Sequence, residues 1–97
     1  MDKYYELSER YLRDLVAINT VNKPGNEKAA ALYISRELER YNFKTEIQEV
    51  AEGRANVVAS IGGSSNGNTV IFTGHLDVVP PGEDWISGDP FTLLEKD

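Results

Sequence analysis

The stretch "VIFTGHLDVVPPGEDW", residues 70–85, carries the only histidine of the chain at the end of an apolar run, with an aspartate two positions later. Val70, Ile71 and Phe72 read as part of a strand over 69–74, buried on both faces. His75 and Asp77 arrive where that strand should leave its sheet. Pro80, Pro81 and Gly82 then force the chain to turn. Polar groups able to bind metal or move protons, set at a strand's exit, are a common layout for α/β active sites. A histidine paired with a carboxylate for structural reasons alone is the competing reading.

Working back toward the N-terminus, the periodicity is helical before it is extended. Apolar side chains at Tyr4, Leu7, Tyr11, Leu15 and Ile18 recur three and four apart, leaving Glu6, Glu9, Arg10 and Arg13 on the wet side. This predicts an amphipathic helix over 4–18. The loop "NTVNKPGNE" follows, and Asn26 is placed to cap a second helix whose first turn carries Glu27. That helix is predicted to run to about Tyr41, with Ala30, Ile34, Leu38 and Tyr41 on one face. Asn42 can close it in the left-handed conformation. In "FKTEIQEV" the period becomes two, with Phe43, Thr45 and Ile47 on one side of a half-exposed strand. Glu52-Gly53 turns the chain into a second strand, "ANVVASI". A polar loop over 62–68 separates it from the 69–74 run, and "FTLL" at 91–94 reads as one more short strand. Two helices followed by strands predict an α/β fold, the helices packed on a sheet. The set of elements is short for a complete domain, so the 97 residues read as the opening of something larger.

Composition narrows the function. The net charge of −6 argues against nucleic acid or an anionic membrane as main partner. With no cysteine, there is no disulfide framework and no thiolate metal site. No segment has the apolar length of a signal peptide or membrane span, so a cytoplasmic protein is expected.

Residues two apart on an extended chain point the same way. The Asp77 carboxylate can then accept a hydrogen bond from one ring nitrogen of His75, fix its tautomer and aim the other nitrogen outward. Metal-binding histidines are held in this manner. A zinc site needs three or four protein ligands, however, and the remaining nearby donors are Glu83, Asp84 and Asp89, which also read as a solvated loop. "GSSNG", 63–67, matches the G-x-S-x-G nucleophile elbow with Ser65 in the nucleophile place, but a strand, not a helix, is expected after it. Trp85 reads as a packing anchor in preference to a substrate platform, and "NKPGNE" as the connection that caps the second helix.

Taken together, "GHLDVVPPGEDWISGDPF" (74–91), "NTVNKPGNE" (19–27) and "NFKTEIQEV" (42–50) resemble one family in collinear order. It is the zinc-dependent amidohydrolases and exopeptidases that include acetylornithine deacetylase, succinyl-diaminopimelate desuccinylase, aminoacylase and carboxypeptidase G. Lys23 stands where the family often has the first proline of Asn-Pro-Pro-Gly-Asn-Glu. The resemblance implies that residues 1–97 are the N-terminal portion of a three-layer catalytic domain with a mixed sheet, ending before the remaining metal ligands and the general base. It implies that His75 ligates one of two zinc ions, with cobalt as an alternative metal, and that Asp77 is the aspartate conventionally termed catalytic. It further implies hydrolysis of the amide of an N-acyl amino acid or small peptide by a homodimer. A non-catalytic binding or assembly module of the same fold is the alternative. Two expectations about the sheet then conflict. Asn66-Gly67 favours a hairpin joining 55–61 to 69–73, whereas the family topology keeps those strands apart and is given the greater weight.

Overall fold

The computed structural model describes residues 2–63, 66–86 and 88–96. Helix α1 spans Lys3–Ala17 and α2 spans Glu27–Glu39; strands β1, Lys44–Ala51, and β2, Arg54–Ser60, follow. The two strands form an antiparallel pair. The fold is thus mixed α/β, but the sheet among the described residues is two-stranded and antiparallel, not mixed.

Helix α1 begins where Asp2 accepts hydrogen bonds from the Tyr4 and Tyr5 amides, at 2.7 and 3.2 Å, satisfying two donors a first turn leaves open. None of its residues is fully buried. Polar contacts fasten it to α2: Arg10 donates to Glu37 at 2.8 Å, and the Tyr33 hydroxyl donates to Asp14. An apolar groove of about 330 Å³ between the two helices is lined by Leu7, Tyr11, Leu15, Ile34 and Leu38.

Helix α2 is the element that packs on the hairpin. Its buried residues are Glu27, Ala30, Ala31 and Ser35. The face predicted from Ala30, Ile34, Leu38 and Tyr41 is turned toward α1 and not toward the sheet. Ile34, Leu38 and the partly exposed Tyr41 line the groove against α1, Ala30 lies beside Leu15 and Ile18, and the small stripe Ala31–Ser35 meets the sheet. Small side chains let helix and strands approach closely enough for the Ser35 and Thr45 hydroxyls to bond at 2.6 Å. The helix ends two residues short of Tyr41, and Asn42 takes the left-handed conformation at φ 69° as expected. Asn26 occupies the cap position, yet its side chain makes no capping hydrogen bond.

The hairpin follows its period-two pattern. Thr45 faces Ala59 and Ile47 faces Val57, with Ala55 buried toward α2. Gly53, at φ 74°, makes the turn, and its carbonyl accepts from the Lys28 amide at 3.1 Å.

Two predicted strands are not formed. Residues 68–77 have no strand partner among the described residues, and Val70, Ile71 and Phe72 are 74, 81 and 93 % exposed. Apolar composition alone does not make a strand; the backbone must find a neighbouring segment to bond. The 91–94 segment is likewise irregular. Among the described residues, no strand pairing joins β2 to residues 69–73, so the expected Asn66-Gly67 hairpin is not formed. The chain instead returns to the N-terminal half: Val78 donates to Thr20 at 3.1 Å and Asn22 donates to Val78 at 2.9 Å, a single parallel bridge between residues 21 and 78. This bridge sets the position of His75 and Asp77. No helix among the described residues is long and apolar enough to cross a membrane.

Candidate functional site

His75 and Asp77 meet although no strand carries them. The extended chain just before the bridge supplies the same two-residue repeat that a strand would. The His75 Nδ1 lies 2.8 Å from the Asp77 carbonyl oxygen and 3.1 Å from Asp77 Oδ1. Both partners are acceptors when the carboxylate is ionised, so Nδ1 carries the proton and Nε2 keeps its lone pair. The His75 side chain is 83 % exposed, so Nε2 is open to an incoming group.

The other carboxylate oxygen faces inward. Asn22 Nδ2 donates to Asp77 Oδ2 at 3.1 Å, and Arg54 Nη2 stands 3.9 Å from the same oxygen. Asn22 comes from the loop that the sequence explains as a helix connection, and Arg54 is the first residue of β2. Arg54 is in turn gripped by Glu27, with Nε to Oε2 at 3.0 Å and Nη2 to Oε1 at 2.7 Å, a bidentate pair. Glu27, expected as a favourable charge in the first turn of α2, is buried and serves this ion pair as well. The donation from Asn22 holds the Asp77 carboxyl below its ordinary range, with His75 and the Arg54 charge acting in the same direction and partial desolvation opposing. The hydrogen bond from Arg54 likewise lowers Glu27. Neither Asn22 nor Arg54 carries a local sequence signal for this role.

Two clefts flank the pair. One, of about 420 Å³, separates β2 from residues 73–77 and is lined by Glu27, Arg54, Asn56, Val58, His75 and Asp77. The other, of about 370 Å³ and mainly apolar, is bounded by Leu15, Ile18, Val78, Val79, Trp85 and Phe91, and His75 reaches it too. Trp85 is exposed; its indole Nε1 donates to the Pro81 carbonyl at 2.7 Å, which holds it against the turn.

The remaining candidates do not converge on His75. Glu83 and Asp84 sit together beside Ile86 and Lys96 on the surface, and Asp89 caps its own turn by accepting from the Phe91 amide at 2.8 Å. Ser65 lies outside the described residues. No group of three His, Asp or Glu side chains able to hold a metal exists among the described residues. Tested against a zinc ion, which takes at least three protein ligands, these residues fit one ligand position and not a whole centre.

Comparison with known proteins gives relatives that include succinyl-diaminopimelate desuccinylases. The chain is 35 % identical over 91 residues to a succinyl-diaminopimelate desuccinylase of Rickettsia typhi, a match covering 90 % of the chain and 23 % of that protein. It is 40 % identical over 88 residues to a probable succinyl-diaminopimelate desuccinylase of Staphylococcus aureus strain N315, covering 88 % of the chain and 20 % of that protein. A probable desuccinylase of Staphylococcus epidermidis matches at 38 % identity over 90 residues, 91 % of the chain and 21 % of that protein. No family model matches the chain, and no solved structure matches it significantly. The chain spans about a fifth of the length of the curated relatives it matches. Over about nine tenths of its own length it is homologous to a stretch of the succinyl-diaminopimelate desuccinylases, members of the family its motifs resemble.

Proposed function

We propose that residues 1–97 form the N-terminal portion of the catalytic domain of a metal-dependent hydrolase that removes an acyl group from an N-acyl amino acid, of desuccinylase type. The observation that carries this reading is the outward Nε2 of His75, oriented by Asp77, within a chain whose relatives are named desuccinylases. His75 supplies one ligand of a zinc site whose other ligands belong to parts of the protein outside these residues. A metal held by His75 and those ligands would supply Lewis-acid polarisation of the amide carbonyl and activation of a water. Asp77 holds the imidazole in its Nδ1–H form and keeps Nε2 aimed, while the cleft beside β2 leaves that nitrogen approachable. The protein acts as a cytoplasmic homodimer on a small acylated substrate.

The test is a chimera in which this chain replaces the matching stretch of a curated relative, assayed for succinate release from succinyl-diaminopimelate and for bound zinc. His75→Ala should lose both metal and activity. Asp77→Ala should keep more metal than His75→Ala while activity falls by ~10–100-fold, the scale for a residue that orients a ligand. The reverse order of metal content would defeat the assignment of roles. Calorimetry on the 97-residue chain is an independent check: micromolar or tighter zinc binding would mean the site is complete without further ligands.

A further inference from the structure

We propose that Arg54, anchored by Glu27, is a positioning residue for the Asp77–His75 pair, holding the carboxylate so that one oxygen is left for the imidazole. This rests on the reading of His75 as a ligand whose Nε2 must point outward. The two oxygens of Asp77 have separate partners. Oδ1 receives His75 at 3.1 Å, while Oδ2 takes Asn22 at 3.1 Å and faces the Arg54 guanidinium at 3.9 Å. A carboxylate with a cation and an amide on one oxygen cannot turn that oxygen to the histidine without losing both.

Arg54 is itself immobilised. The Glu27 side chain is only 9 % exposed, and its Oε1 and Oε2 both bind the same guanidinium. Swinging Arg54 to solvent would leave a buried carboxylate unpaired, which is strongly unfavourable. The backbone is shaped around the pair as well. A Cβ on Gly25 would lie 2.8 Å from both Arg54 Nε and Glu27 Oε1, so the glycine leaves the room the ion pair occupies. The loop, the start of α2, the start of β2 and the 75–77 segment thus converge on a single carboxylate.

The simpler role for Arg54–Glu27 is a clamp between α2 and the hairpin, and the tautomer of His75 separates the two. With one histidine in the chain, protein labelled with ¹⁵N-histidine gives signals from the two ring nitrogens of that residue alone. Solid-state spectra read them whatever the state of assembly. Measured about two pH units above the ordinary imidazole value of ~6.5, the wild-type chain should be mainly Nδ1–H. Arg54→Met and Glu27→Gln should lower the ratio of Nδ1–H to Nε2–H measurably, the Asp77 carbonyl at 2.8 Å from Nδ1 keeping part of the preference. Lys28→Ala removes another ion pair between α2 and the hairpin, that with Glu49, and should leave the ratio unchanged. A wild-type ratio in folded Arg54→Met and Glu27→Gln, or an equal fall in Lys28→Ala, overturns the proposal. Should Arg54→Met unfold, Arg54→Lys, which keeps the charge but not the two-pronged grip, carries the same test. No metal enters this measurement, so a failed zinc assay in the chimera leaves its outcome intact.

Discussion

Helix α2 with the β1–β2 hairpin and the segment over residues 68–96 differ in what closes them. The first region satisfies itself: Ala31 is fully buried, Ala55 is 5 % exposed, and the hairpin ladder runs from Lys44 with Ser60 to Ala51 with Arg54. The second holds the chemically interesting side chains but almost no packing. Phe72 and Ile86 are 93 and 96 % exposed, and the bridge at Val78 and the Asn22–Asp77 bond fasten it to the N-terminal half. Composition does not explain the contrast, since the 70–72 run is more apolar than either strand of the hairpin. A hairpin supplies its own partner across two turn residues, whereas an isolated strand depends on a segment distant in sequence. Among the described residues that segment is missing, so apolar side chains stay in water.

The largest expected effect breaks or sustains this contrast directly. An exposed apolar run with unpaired backbone recruits other chains, so the 97-residue chain by itself should associate or precipitate. The double variant Ile71→Lys and Phe72→Lys should be monomeric by light scattering. A monodisperse wild-type monomer whose amides over 70–73 resist exchange would mean that the run has found a partner within the chain.

Next in size are substitutions on the two sides of the divide. In the monomeric Ile71→Lys and Phe72→Lys background, Ala31→Leu forces extra volume between helix and hairpin and should destabilise by about 1–3 kcal/mol in urea unfolding. Val70→Ala, which removes volume from a side chain 74 % exposed, should change stability by less than about 0.5 kcal/mol. Comparable losses from the two would show that residues 68–96 contribute to one shared core.

The smallest effect concerns acid. Arg54 lowers the folded-state pKa of Glu27 below the ordinary glutamate value of ~4.3. Its contribution to stability is therefore fully present above that value and is lost as the pH falls through the lower folded pKa. Melting temperature should be flat above about pH 5 and drop below about pH 4. In Glu27→Gln the plateau should sit lower and the acid drop should shrink. Asp77 and Glu37 are also held low, by Asn22 and Arg10 respectively, and account for the drop that remains. An unchanged acid drop in Glu27→Gln would show that the ion pair adds no pH-dependent stability.

Local pattern in the sequence was sufficient for several features, and for a common reason: each depends on residues close together along the chain. The spacing of Leu7, Tyr11 and Leu15 specifies a helix, Asn42 its neighbour's left-handed stop, and the alternation around Glu52-Gly53 a hairpin. The two-residue interval between His75 and Asp77 was enough to bring imidazole and carboxylate together, because extended backbone repeats with that period. Tertiary structure alone decided which face of α2 meets the sheet, since small and large stripes on one helix are equally helical. It also decided that 69–74 is not a strand, because strand hydrogen bonds are made to another segment and no property of the run itself supplies one. The assembly of Asn22, Glu27 and Arg54 behind Asp77 belongs to the same class. Asn22 and Asp77 are 55 residues apart, and only the folding back of the chain at the bridge between residues 21 and 78 makes them neighbours.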